Sequence, residues 1–256
     1  MSRIHLFEVE DKKWFTSFLR DYMTDFLQFF ANKMGILNPV VPIIEQALRK
    51  SNSTTIIDLG SGGGGALIGL NRDLKNRIPE LKIVLTDYFP NIDAFERIKR
   101  TTDNIIYDAR SVDARNVPEN LKGLRTLFLA FHHFKPDDAK LILQNAVTSG
   151  SSIAIFEASE RSALSILAML FSPISVLLTT PFIRPFKVGR IFFTYIVPIV
   201  PLFVCWDGVV SSLRTYSIDE MKELANQVKG AENYHWEINQ IKSGGLNLFY
   251  MTGTAK

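Results

Sequence analysis

Two carboxylates, a glycine-rich turn and a pair of adjacent histidines are the residues of this chain whose types and spacing could do chemistry. In Thr54–Gly65, TTIIDLGSGGGG, Asp58 stands near the end of an apolar run, and five of the six residues from Gly60 to Gly65 are glycine. A second acid, Asp87, closes the run Leu81-Lys82-Ile83-Val84-Leu85-Thr86 and precedes Tyr88-Phe89-Pro90, while His132-His133 follow the run Leu127–Phe131. A glycine turn adopts backbone angles that other residues resist and lets a ligand approach the main chain. The N–H groups at the start of a following helix then face that ligand. A strand-end acid such as Asp87 accepts hydrogen bonds from both hydroxyls of a ribose, and the aromatic Tyr88 beside it can lie against a flat base. A histidine offers a proton acceptor suited to neutral pH.

The elements that must position these groups alternate in type. The β-branched Thr54, Thr55, Ile56 and Ile57 read as a buried parallel strand, and Ala66–Leu70 starts a helix. Asn104–Tyr107, Leu127–Phe131 and Ser152–Glu157 read as strands three to five, with strand six around His235-Trp236 and strand seven at Leu246–Thr252. The expected architecture is a doubly wound α/β sheet with a ligand crevice at its carboxyl edge. Ser217 and Glu220 form a capping box ahead of a helix. The first fifty residues read as helical, with Asp11 or Asp21 as caps and an aromatic stripe from Trp14 through Phe15, Phe18, Tyr22 and Phe26 to Phe30.

Two cofactor classes fit the turn. Gly60, Gly62 and Gly65 satisfy the dinucleotide pattern G-x-G-x-x-G, whereas Asp58, Gly60, Gly62 and Gly64 satisfy D-x-G-x-G-x-G, which resembles motif I of class I S-adenosylmethionine (SAM) methyltransferases. Asp58 favours the second, because a carboxylate there would repel a pyrophosphate and attract the ammonium and sulfonium of SAM. Ser111-Val112-Asp113-Ala114 is similar to that family's adenine-contacting turn, and His132-His133-Phe134 to its fourth-strand tail in the small-molecule branch. The resemblance covers about residues 50 to 160. It implies a seven-stranded, mostly parallel sheet with SAM held by Asp58, Gly60, Ser61, Gly62, Gly64, Asp87, Tyr88, Asp113, Ala114 and Phe131. It implies in-line methyl transfer to a small molecule, with His132 or His133 as the base where the acceptor must lose a proton. Two other classes stay open: an NAD(P)-dependent oxidoreductase, opposed by Asp58 and by the lack of an evident Tyr-x-x-x-Lys pair, and a non-catalytic SAM-binding, membrane-associated protein.

The chain divides into a helical cap (1–50), the SAM-binding core (51–160), an apolar insert (161–216) and the last helix and strands (217–256). No charged residue occurs from Ser162 to Ile183, a run of 22, or from Ile191 to Trp206, a run of 16; Arg184, Lys187 and Arg190 lie between them. Pro173, Pro181, Pro185, Pro198 and Pro201 break both runs. The insert therefore reads as a lid over the crevice, as a monotopic membrane contact whose basic bend meets headgroups, or as a homodimer surface. The first two readings make the substrate lipophilic, with Trp14, Tyr22, Trp206, Arg214 and Tyr216 as candidate contacts and an Asp207–Arg214 pair as the alternative use of that arginine. A net charge of +3 without a long basic run argues against nucleic acid. Cys205 is the single cysteine, and no Cys/His spacing suggests a metal. The start MSRIHLFEVEDKKW lacks the apolar core of a secretion signal, so the expected place is the cytoplasm, with peripheral attachment to the inner face of a membrane under the second reading.

Overall fold

Aliphatic and β-branched residues fill five parallel strands: β1 (Thr55–Leu59), β2 (Lys82–Asp87), β3 (Ile105–Ser111), β4 (Leu124–Phe128) and β5 (Ile153–Glu157). Every residue of β4 and β5 is buried, as expected of strands covered by helices on both faces. β6 (Tyr234–Ser243) and β7 (Leu246–Ala255) form a hairpin whose two connecting residues, Gly244 and Gly245, both have positive φ. The computed structural model describes all 256 residues and places the strands in the order β3-β2-β1-β4-β5-β7-β6, with β7 antiparallel to β5. The order reverses between β1 and β4, which opens a crevice at their carboxyl ends.

Ten α-helices surround the sheet: α1 (Ser17–Lys33), α2 (Val41–Lys50), α3 (Gly65–Arg77), α4 (Ile92–Lys99), α5 (Pro136–Thr148), α6 (Ala163–Leu170), α7 (Ser172–Thr179), α8 (Val188–Ile191), α9 (Ile199–Arg214) and α10 (Ile218–Asn226). Ile44, Leu48, Leu67, Leu70 and Phe95 of α2, α3 and α4 pack in one core. Ile142, Leu143, Met221 and Leu224 of α5 and α10 pack in the other. A third cluster joins Phe15, Leu19, Met23 and Phe26 to Val176, Ile183, Val200 and Val204, so the aromatic stripe of α1 serves to hold the insert.

The prolines break the insert as expected. α6 and α7 are short, and α8 runs on into a π-helical turn, Phe192–Ile196, before a 79° bend to α9. By length and apolarity the segment Ala163–Phe182 would suffice to cross a membrane. Its outward side is bare: Leu164 is 76% exposed, Leu178 68%, Phe182 67% and Val188, further on, 75%.

Four local expectations are corrected. Residues 1–16 are not helical, and α1 starts at Ser17 with Thr16 as an N-cap that makes no side-chain bond, so neither Asp11 nor Asp21 caps it. β4 ends at Phe128; Leu129 takes a positive φ of 54°, and Phe131–His133 form a 3-10 turn rather than a strand end. The basic bend does not face outward as a unit: Lys187 and Arg190 both pair with Asp25 of α1, at 2.8 and 2.6 Å, leaving Arg184 as its exposed cation. Asp207 does not pair with Arg214; its carboxylate accepts the main-chain N–H groups of Val9 and Glu10 at 2.8 and 3.3 Å. The capping box is present with both arms, Glu220 N–H to Ser217 Oγ and Ser217 N–H to Glu220 Oε2.

Candidate active site

The glycine turn leaves β1 with Gly60, Gly62 and Gly64 at φ of 68°, 54° and 76°, a left-handed run open to glycine and strained for other residues. Beneath it, Asp58 is 2% exposed and accepts from Ser61 Oγ and Thr126 Oγ1, each at 2.7 Å. Burial pushes its carboxyl up to about 7, against the pull of those hydroxyls. Asp58 thus braces the turn from behind and does not itself line the cleft, which weakens its use against a pyrophosphate. Gly64 is also structural, since a Cβ there would lie 2.6 Å from Ile98 and 2.9 Å from Leu85. Asp87 does face the crevice, with Oδ2 accepting the N–H of Gly62 and Oδ1 that of Phe89, both at 2.7 Å.

A cleft of about 520 Å³ lies over this turn, within the range of small-molecule and cofactor sites. Gly60, Ser61, Gly62, Asp87, Tyr88, Asp113 and Ala114 line it from the sheet side, and Thr24, Leu27, Gln28 and Ala31 of α1 line it from above. Asp113 is held by the fork of Arg115, which keeps its carboxyl below the ordinary range; Arg115 also reaches Asp138 at 2.8 Å. Gln28 carries no signal in the sequence, yet its amide lies over the turn, and with the oxygen turned inward it is placed to accept from the N–H groups of Gly63, Gly64 and Gly65 at 2.9, 3.3 and 3.2 Å. The N–H groups expected to await a ligand at the start of α3 are therefore partly satisfied by the roof. Asp21 accepts from Asn91 at 2.8 Å and the Arg20 guanidinium lies 5.1 Å from the Phe89 ring, pinning α1 across the cleft.

The 3-10 turn after β4 brings the histidines to one end of this cleft. His132 is buried; its Nδ1 lies 2.8 Å from Glu157 Oε2, and its main-chain N–H donates to Glu157 Oε1. His133 lines the cleft, with Nδ1 at 2.8 Å from Asp11 Oδ1 and 3.2 Å from Glu8 Oε2. Burial alone would lower its pKa, but Glu8, Asp11 and Glu10 outweigh that and push it up to about 10. His133 is then cationic at neutral pH, while His132 is buried behind it and does not line the cleft. Glu10 and Asp11 also line the cleft, and burial holds the Glu10 carboxyl above its ordinary value. These acids were missed because the segment bearing them read as helix, and only tertiary folding sets residues 8–11 against residues 132 and 133.

Several other candidates lie outside the cleft lining. Trp14 is 69% exposed beside Phe15, and Tyr22 packs with Phe18 in the α1–insert cluster. Trp206 lies tilted against Phe7 and donates to the Phe7 carbonyl. Phe131 is buried against the Tyr216 ring at 5.3 Å. Arg214 pairs with Glu8 at 2.9 Å and Asp11 at 2.8 Å, and Tyr216 donates to the Phe134 carbonyl at 2.7 Å. Arg3 stacks over Tyr216 and donates to the carbonyls of His132 and Phe134. Arg214, Tyr216 and Arg3 therefore brace the histidine turn through its carbonyls.

No family model matches the sequence, and no curated protein matches it. Among solved structures the chain is similar to PigF with SAH, at 19% identity over 96% of this chain and 63% of that one, TM-score 0.52. It is similar to the plantazolicin methyltransferase BpumL in complex with SAH, at 12% identity over 93% and 96% of the two chains, TM-score 0.51. An O-methyltransferase family protein from Burkholderia thailandensis matches at 15% identity over 90% of this chain, TM-score 0.50. The chain spans 58% of the length of that Burkholderia protein. With the glycine turn on β1, Asp87 ending β2 and an antiparallel β7 between β5 and β6, the chain has the fold of class I SAM-dependent methyltransferases.

Proposed function

We propose that the protein transfers a methyl group from SAM to a small lipophilic acceptor while docked on a membrane. The observation that carries the cofactor reading is the strand order: dinucleotide-binding sheets continue past the fifth strand with a parallel sixth, whereas here an antiparallel β7 lies between β5 and β6. Asp87 would take the ribose hydroxyls, Tyr88 the face of the adenine, Asp113 and Ala114 its amino edge, and Gly60 to Gly62 the amino-acid portion. Bound SAM supplies a methyl group already activated on a sulfonium. The chain's own task is alignment and exclusion of water, which the α1 roof over the glycine turn supports. Where the acceptor must lose a proton, Glu10 is the candidate base, because it lines the cleft and its carboxyl is held above the ordinary value.

The lipophilic reading is supported by the bare side of the insert, where Leu164, Leu167, Leu170, Phe171, Leu178 and Phe182 are exposed together on consecutive turns. A surface of this kind marks a partner or a membrane. With Lys187 and Arg190 sharing the single carboxylate of Asp25, insertion of apolar side chains supplies most of the docking, and Arg184 with the one leftover positive charge of that trio adds attraction to anionic headgroups. The test is incubation with methyl-labelled SAM and extracted membrane lipids, followed by mass spectrometry. A labelled apolar product supports the reading; bound SAM with no labelled product from any fraction would leave a non-catalytic SAM-binding protein.

A further inference from the structure

We propose that Glu8, His132 and His133 form a binding site for one divalent transition metal ion of the zinc class. One ligand atom from each of the three lies within 4.8 Å of the other two. His133 Nδ1 is 3.2 Å from Glu8 Oε2, and His132 Nε2 is 3.8 Å from Glu8 Oε1. Metal bonds of about 2.0–2.1 Å at tetrahedral angles set neighbouring ligand atoms roughly 3.3 Å apart. Taken to the two oxygens of one carboxylate, the two spacings lie near that value.

An orphaned oxygen points to the same place. Glu8 is fully buried; Arg214 takes its Oε1 at 2.9 Å, while its Oε2 receives no hydrogen bond. A buried carboxylate oxygen without a donor is costly unless a cation meets it. The nearest group to that oxygen is His133 Nδ1, which also meets Asp11 at 2.8 Å; a metal would bind there by displacing the proton that this nitrogen carries.

The surroundings orient the ligands as metal sites require. Glu157, also buried, accepts the Nδ1–H of His132 at 2.8 Å and fixes its main-chain N–H as well. With Nδ1 paired to Glu157, Nε2 is the nitrogen a metal would take, the carboxylate–histidine arrangement found behind metal-bound imidazoles. Four carboxylates, Glu8, Glu10, Asp11 and Glu157, gather around the two rings against one guanidinium, Arg214, and the single proton shared with His133. A divalent ion offsets that excess. Two nitrogens and one oxygen suit zinc, iron or cobalt better than magnesium or calcium. Three protein ligands leave a coordination position for water or a substrate oxygen, the pattern of catalytic rather than structural sites.

The test is titration of the tag-free, chelator-treated full chain with Co²⁺, read by its visible d–d absorption, with Zn²⁺ as competitor. One Co²⁺ per chain, displaced by Zn²⁺, is expected. Glu157→Gln, which leaves all three ligands in place, should weaken binding by roughly 10- to 100-fold, and His132→Gln should abolish the tetrahedral spectrum. Substoichiometric Co²⁺ binding by folded wild-type protein would overturn the site, as would stoichiometric binding unchanged by both substitutions. Because the readout uses neither SAM nor an acceptor, it stands or fails separately from methyl transfer.

Discussion

Asp87 Oδ2 accepts the main-chain N–H of Gly62 at 2.7 Å, tying the end of β2 to the turn that follows β1. One carboxylate thereby shapes the floor of the cleft and presents its remaining lone pairs to whatever lies there. Asp87→Ala should weaken SAM binding by about 1 to 3 kcal/mol, the scale for hydrogen bonds to a charged group, or roughly 5- to 150-fold in Kd. Calorimetry on folded variant protein checks this, and an unchanged Kd would remove Asp87 from the cofactor site.

Asp58 predicts a pH dependence of stability. Its folded pKa, about 7, lies above the ordinary 3.8, so the folded chain binds the proton more tightly than the unfolded one. Its contribution is fully present below about pH 4 and is lost as the pH rises to about 7, by at most about 4 kcal/mol. Asp58→Asn should flatten that fall in denaturant-measured stability between pH 4 and 8. A slope identical to wild type would show that the carboxyl is not held protonated by burial.

Much of this arrangement was legible in the sequence because it is local. The apolar runs located all seven strands, with β4 placed about three residues late, the glycines marked the turn, and Ser217 with Glu220 marked the start of α10. What was hidden depends on distant residues meeting. Gln28 reaches the glycine turn from a helix that reads as an aromatic stripe, and Glu8, Glu10 and Asp11 meet the histidines only when residues 1–16 fold back irregularly over the cleft mouth. Lys187 and Arg190 look free for headgroups until α1 supplies Asp25.

Arg214 distinguishes a positioning role from substrate contact. It is buried between Glu8 and Asp11, so Arg214→Met leaves both carboxylates without their guanidinium and should destabilise the protein by about 3 to 5 kcal/mol. Thermal and chemical denaturation measure this. Wild-type stability with a raised KM alone would instead return Arg214 to the substrate site.

For the membrane reading, the apolar face and the basic bend make different contributions. Replacing Leu178 and Phe182 together by Glu should abolish sedimentation with anionic liposomes, because each large side chain contributes about 1.5 to 3 kcal/mol on burial. Arg184→Glu should weaken binding only modestly, a basic residue near the surface being worth about 1 kcal/mol. Wild-type protein that stays in the supernatant as a discrete dimer would assign the face to a second copy. A monodisperse monomer in the supernatant would leave the insert as a lid.

Calorimetric titration of the full-length protein with SAM, SAH and NAD(P)H tests the cofactor assignment most directly. SAM and SAH should each bind at one site per chain, with Asp87→Ala weakening both and NAD(P)H giving no heat of binding. Binding of NAD(P)H with no response to SAM or SAH would contradict the assignment and move the protein to the oxidoreductase class.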